Sequence, residues 1–303
     1  MAQIDLVRRA FLGAVLSSGA ALATRDLLGE ETAKPRDQLQ EPVFRVANGA
    51  GQDKKDAAHP LDPALDIARN GLKHIQKDVV DYTATMVKRE RIKGVLLEQE
   101  YMFVKIRNRK LENNTVKVPF AVYMYFLKPE VTKGREALYV EGENQGKLIA
   151  HEGIGAGLIG KLPSVWLPPN GPLAMQNNRY PITEAGIENL VVRLLEKGDR
   201  DRKRDECSVE FRKNAKINDR KCTVLRVIHP VQRDWFDFHI AEIFIDDEHQ
   251  VPVRYAAYTW PAPGEKPQLE EEYTYMNLKL NVGLTELDFD HKNPDYNFVR
   301  RKG

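Results

Sequence analysis

The chain has 303 residues, 42% hydrophobic and 30% charged, with 46 Lys+Arg against 44 Asp+Glu and a formal charge of +2. These proportions exclude a disordered polyelectrolyte and a bundle of membrane helices. The near balance of charge also leaves no large basic excess to displace counterions, so no nucleic-acid partner is expected.

Residues 1–26 read MAQIDLVRRAFLGAVLSSGAALATRD. Arg8 and Arg9 make a basic start, Phe11 to Ala23 is a 13-residue apolar run, and Ala21-Leu22-Ala23 fits a small-x-small cleavage pattern. Thirteen residues rise only about 20 Å as a helix, short of a bilayer core of roughly 30 Å. The pattern predicts a signal peptide over residues 1–23 and a mature chain that is periplasmic or otherwise exported and does not span a membrane. A plain N-terminal anchor is the alternative. Arg-Arg-Ala-Phe-Leu-Gly is also similar to a twin-arginine export motif, with Val7 where that motif prefers Ser or Thr. Residues 24–60 are polar with scattered Pro and Gly and read as a flexible linker. The remainder, 61–299, is expected to form one domain.

That domain opens on a helix. Asp62 is a suitable N-cap, Pro63 suits the first helical position, and Leu65, Ala68, Leu72, Ile75 and Val79 form one apolar stripe. From Tyr82 the period changes to two. Strands are predicted over Tyr82–Ile92, Val95–Arg107, Val118–Lys128, Ala137–Glu141 and Lys147–His151, joined by short turns as an antiparallel meander. A second helix is predicted over Glu184–Lys197, capped by Thr183 and ended by Gly198, with Ile187, Leu190, Val191, Leu194 and Leu195 as its stripe. The run GDRDRKRDE that follows reads as a solvated loop. Five more strands are predicted at Cys207–Phe211, Cys222–His229, Phe238–Asp246, Val251–Trp260 and Leu269–Lys279. About ten long strands curl through their twist. The expected fold is α+β: a strongly curved, mainly antiparallel sheet, a half-open β-barrel, with helices on its concave face. In FAVYMYFL, Phe120, Val122, Met124 and Phe126 should face the concavity, and Tyr123 and Tyr125 should face outward to water.

Cys207 and Cys222 are the two cysteines, and in an oxidising compartment their number and spacing predict one disulfide closing a short loop. Two thiols in neighbouring strands are the alternative. GIGAGLIGK, Gly153 to Lys161, nearly matches phosphate-binding patterns. Pro163 and Pro168-Pro169 forbid the long helix those patterns need, and Leu162 replaces the Ser or Thr that would hold magnesium. A mobile loop at the cavity's lip and an ordinary surface loop remain the readings there. The seven histidines show no metal spacing, and Ser164 and Ser208 sit in no nucleophile elbow, so no metal, cofactor or catalytic residue is assigned. DFDHKNPDYNF, Asp288 to Phe298, carries oxygen ligands but lacks the Gly and terminal Glu of a calcium loop; it reads as a terminal stretch docking Phe289, Tyr296 and Phe298 on the sheet edge. Lys88-Arg89-Glu90-Arg91 and Lys105, Arg107, Arg109 read as a solvated outer face, with contact to anionic head groups or an acidic partner as the alternative.

The segments DYTATMVKRERIKG, FLKPEVTKGREALYVEG, GKLIAHEG, RYAAYTWP, EEYTYMNLKLNVGLTELDFD and NPDYNF together resemble an uncharacterised family of exported bacterial proteins common in planctomycetes. More remotely, strand order and an aromatic strand ending in Lys-Pro resemble the periplasmic lipoprotein carriers and lipoprotein-sensing regulators of the Lol type. That resemblance implies a half-open barrel closed by helices around a cavity for acyl chains, and carries over no catalytic residue. The expected function is therefore binding of a lipid or lipoprotein acyl chain. Met102, Val104, Phe120, Val122, Met124, Phe126, Leu138, Val140, Ile243 and Ile245 are the candidate lining, with Trp166 near the mouth. Ordinary core packing is the alternative for each. A sensor module recognising an envelope protein, and an envelope hydrolase with converging carboxylates, are the competing functions.

Overall fold

The computed structural model describes residues 42, 44–45, 59–153, 163–204 and 206–298. The predicted signal peptide, nearly all of the predicted linker, and the glycine-rich stretch carrying Gly155, Gly157 and Gly160 lie outside the described residues. In chain order the elements begin with β1 (Phe44–Arg45), α1 (Asp62–Asp78), β2 (Asp81–Ile92), β3 (Val95–Leu96) and β4 (Glu100–Arg107). A small hairpin, β5 (Lys110–Glu112) and β6 (Thr115–Val118), precedes β7 (Ala121–Lys128), β8 (Glu136–Val140), β9 (Leu148–His151) and β10 (Val165–Leu167). After α2 (Ile187–Asp201) come β11 (Ser208–Ile217), β12 (Arg220–Ile228), β13 (Ile240–Asp246), β14 (Pro252–Tyr258) and β15 (Leu269–Leu280).

Among the described residues thirteen strands form one sheet in the order β1-β11-β12-β13-β14-β15-β2-β4-β7-β8-β9-β10, with β3 paired to β2, while β5 and β6 pair with each other as a separate two-stranded sheet. Every pairing is antiparallel. The two halves of the chain build the two wings, and β15 closes back onto β2, with Tyr275 opposite Met86. The sheet is open and curved, a half-barrel with both helices on its concave side. Ile75 of α1, Val79 just after it, and Ile187 and Val191 of α2 share one buried cluster with Met86, Met102, Val104 and Val122.

Both helices differ from expectation at their ends. The N-cap of α1 is Leu61, not Asp62. The Asp62 carboxylate instead accepts the His59 N–H at 3.1 Å and pairs with Arg202. α2 starts three residues late, after Gly186 at φ 108°. There the Ile187 N–H donates to the Tyr82 hydroxyl at 2.7 Å, so a buried strand residue satisfies the helix terminus. Gly198 does not end α2. An added Cβ there would stand 2.7 Å from Leu65 Cδ2, so this glycine lets the two helices approach. The first residues of the charged run are consequently helical.

The outer face is covered rather than solvated. Tyr123 is 1% exposed and stacks on Tyr296 with centroids 3.9 Å apart, while Tyr125 is half-buried. Phe289, Tyr296 and Phe298 dock there on Ala121, Leu138, Val140 and Ile149, on the face of β7–β9 and not on a sheet edge. Lys105 lies 2.7 Å from Asp288, and Arg107 is buried beside Glu286 and over the Phe289 ring. Of the predicted basic stripe only Arg109 stays exposed, paired with Glu141. Glu136 is fully buried and accepts both the backbone N–H and the side-chain amide of Asn297.

The disulfide is corrected by register. Ser208 pairs with Ile228, whereas Cys222 pairs with Ala215, so Cys207 and Cys222 occupy opposite ends of the β11–β12 hairpin. Seven or more residues of strand separate them by roughly 20 Å. A disulfide needs Cα atoms within about 7 Å. Cys222 is buried, and burial first, then Asp246, pushes its thiol up to about 12.

Candidate binding cavity

α2 crosses the concave face without filling it. Between them, and under the segment from Leu167 to Gly186, lies a cavity of about 730 Å³. Its apolar wall is Met86, Met102, Met124 and Phe126 from the sheet floor, Leu148 from β9, and Leu190 and Leu194 from α2. The parity is set by pairing: Met86 opposes Met102, and Met102 opposes Phe126, so alternate residues of three strands make one surface. A separate void of about 90 Å³ lies under α1, lined by Leu61, Leu65, Leu225 and Ile243.

The sequence-derived lining residues separate into four groups. Met102, Met124 and Phe126 line the large cavity. Val104, Phe120 and Val122 share its face but are packed core. Ile243 and Ile245 face the small void instead. Leu138 and Val140 lie on the opposite face, because Leu138 pairs with Tyr123 and Val140 with Ala121. It is Ala137 that reaches the cavity from β8. Trp166 is also outward, paired with Ile149 and edge-on to His291 at 5.3 Å; its neighbour Leu167 faces in.

One end of the cavity is polar. Glu90 of β2 and Glu271 of β15 are directly opposite in the sheet, 3% and 2% exposed. The Glu90 carboxylate accepts the Tyr273 hydroxyl and the Arg179 N–H. Glu271 Oε1 accepts the hydroxyls of Tyr180 at 3.1 Å and Tyr255 at 3.2 Å. Arg179 Nε lies 3.0 Å from Glu271 Oε2, and Lys88 Nζ lies 2.9 Å from Glu100 and 3.5 Å from Glu90. Burial would depress the Lys88 ammonium, but Glu100 and Glu90 outweigh it and hold its pKa above the usual lysine value. Burial, reinforced by Glu271, pushes the phenols of Tyr180, Tyr255 and Tyr273 upward.

None of this constellation was assigned from sequence. The sequence pattern reads Lys88 and Glu90 as part of a solvated outer face, yet they share parity with Met86 and turn inward with it. Glu271 and Glu272 fall on two faces of the strand: Glu271 is in the cavity, and Glu272 pairs with Arg254 on the other side at 2.8 Å. Among the described residues, Asp246, Glu248 and His249 place ligand atoms within 4.8 Å of one another. Both Asp246 oxygens are already taken by Arg220 and by the Glu248 and His249 N–H groups, which makes the group a turn clasp.

The geometry defines an open antiparallel half-barrel with helices over its concave side and a partly open cavity between them. Residues 79–298 match the model of the DUF1571 family, described as a protein of unknown function, and the chain belongs to that family. No curated protein matches it. Among solved structures it is similar to a putative outer membrane lipoprotein-sorting protein domain from Vibrio parahaemolyticus, at 14% identity over 75% of this chain and 95% of that chain, with TM-score 0.35. It is similar to the Pseudomonas aeruginosa MucA/MucB complex structure at 15% identity over 75% of this chain and 60% of that chain, with TM-score 0.41. A LolA superfamily protein from Nitrosomonas europaea matches at 10% identity over 75% of this chain and 97% of that chain, with TM-score 0.29. Among the described residues no helix is long and apolar enough to cross a membrane.

Proposed function

We propose that this chain is an exported protein that holds a lipid or lipoprotein acyl chain between its sheet and α2, in the manner of a carrier. The observation that carries this reading is the 730 Å³ void floored by Met86, Met102, Met124 and Phe126. Small-molecule sites are typically about 300–1,000 Å³ and mostly apolar. Methionines suit a flexible aliphatic guest because their unbranched thioethers adjust to irregular shapes. Each methylene moved from water into such a site contributes about 0.8 kcal/mol before the costs of association. Binding rather than catalysis is supported because Glu90 and Glu271 are already engaged by cations and tyrosine hydroxyls.

The test is solvent extraction of the purified protein followed by mass spectrometry, with Met124→Trp as the control that obstructs the methionine floor. An acyl lipid recovered from the wild-type chain and lost from the variant supports the reading. Protein that is reproducibly empty, and whose unfolding temperature no lipid raises, sinks it.

A further inference from the structure

Donors and acceptors around the cavity are unequally used. Four cations line it, Lys88, Arg135, Arg193 and Lys197, against six carboxylates turned toward it, Glu90, Glu98, Glu100, Glu152, Glu184 and Glu271, a formal −2 among the described residues, since the Glu136 carboxylate is turned to Asn297 on the other face. Each of the four cations already faces an acid: Lys88 faces Glu90 and Glu100, Arg135 faces Glu152 at 3.1 Å, Arg193 pairs with Glu184, and Lys197 lies 3.4 Å from Asp237.

At the polar end the donors are used up as well. The three protons of Lys88 have three acceptors, Asn178 Oδ1 at 2.5 Å, Glu100 and Glu90. The hydroxyls of Tyr180, Tyr255 and Tyr273 all donate to Glu271 or Glu90. The Asn178 amide is spent on the carbonyls of Ala174 and Gln176. What remains is acceptor capacity: Glu271 Oε2, in a side chain 3% exposed, is ion-paired with Arg179 Nε at 3.0 Å but receives no aligned hydrogen bond. A buried carboxylate oxygen held by charge pairing alone keeps lone pairs that a guest's donor can use.

Resting on the acyl-binding reading above, we infer that the cavity takes a single-tailed amphiphile whose head donates hydrogen bonds and carries no negative charge, an ammonium or a hydroxyl rather than a carboxylate or phosphate. The tail lies along the methionine floor and the head meets Glu271 and Glu90. An anionic head would enter a cavity of net negative charge with no spare cation, where low-dielectric walls strengthen the repulsion.

The test compares three probes of one tail length, dodecylammonium, dodecanol and dodecanoate, for displacement of an apolar fluorescent dye from the purified protein at pH 7.5 and fixed ionic strength. Dodecylammonium and dodecanol are expected to displace it at concentrations at least about tenfold lower than dodecanoate. Equal or tighter binding of dodecanoate overturns the inference while leaving the acyl-binding reading intact. Failure of all three probes, with no uptake of the dye itself, overturns both. The ranking needs no variant. Glu100→Gln adds an independent arm, because it releases Lys88 from its nearest carboxylate. Dodecanoate should then bind about threefold or more tighter, and an unchanged ratio counts against the inference.

Discussion

Tyr296 lies flat on Tyr123, the ring planes 7° apart and the centroids 3.9 Å apart. The contact ties the end of the described chain to the outer face of β7, directly behind the strand whose inner face floors the cavity. Tyr296→Ala removes that stack and a buried ring, and should cost about 3 kcal/mol. Urea unfolding measures it, and a loss below about 1 kcal/mol would show the segment to be a passive tail.

Gly198→Ala gives a second stability prediction whose sign is informative. In an exposed helix interior the change would gain about 1 kcal/mol. Here the new methyl meets Leu65 Cδ2 at 2.7 Å, so net destabilisation of about 1–2 kcal/mol is expected. A cycle with Leu65→Ala should return a coupling above about 0.5 kcal/mol, since the clash disappears with its partner.

Thiol chemistry checks the register of β11 and β12. Intact protein should gain no mass on reduction. Under native conditions an alkylating reagent should label the half-buried Cys207 first, with Cys222 protected by burial and by a thiol pushed up to about 12. A Cys207–Cys222 cross-linked peptide in a non-reducing digest would refute the pairing.

Two buried histidines set a pH slope. Burial lowers the pKa of His151, with Glu152 opposing, and burial lowers that of His229, with the Phe238 carbonyl opposing. A histidine depressed in the fold stays neutral there while the unfolded chain takes up a proton. Its contribution is complete above the ordinary value near 6.5 and is lost as pH falls below it. The unfolding midpoint should therefore drop between about pH 7 and pH 5.5, and His229→Asn should flatten the slope. A midpoint that rises on acidification contradicts the assignment.

Obstructing the cavity floor should cost the fold little. Met124→Trp adds volume where 730 Å³ is open, so stability should change by less than about 1.5 kcal/mol while acyl binding is lost. Thermal unfolding with and without lipid separates the two effects.

Much of this architecture is legible in local pattern. Alternation in Ala121–Lys128 places Met124 and Phe126 inward, and the stripe of α1 marks its buried side. What local pattern omits is what each face meets. Tyr123 reads as a wetted outer residue because the ring that covers it lies 173 positions later. Leu138 has the wrong parity because the Pro129–Arg135 connection sets the phase of β8 against β7, and strand alternation alone fixes no phase. The facing of Glu90 and Glu271 depends on two strands meeting from opposite ends of the domain. Cys207 and Cys222 are near in sequence, but the same hairpin that makes them neighbours holds them at its two ends.

That late meeting of β2 and β15 also orders the molecule's assembly in time. The strands up to β10 can pair as they emerge from synthesis, and so can those from β11 to β14, yet neither wing finds its neighbour until residues 269–280 arrive. Until then β2 and β14 each offer a long bare edge to any passing chain. A nascent protein interrupted before Leu269 would be two sticky ribbons with no container between them.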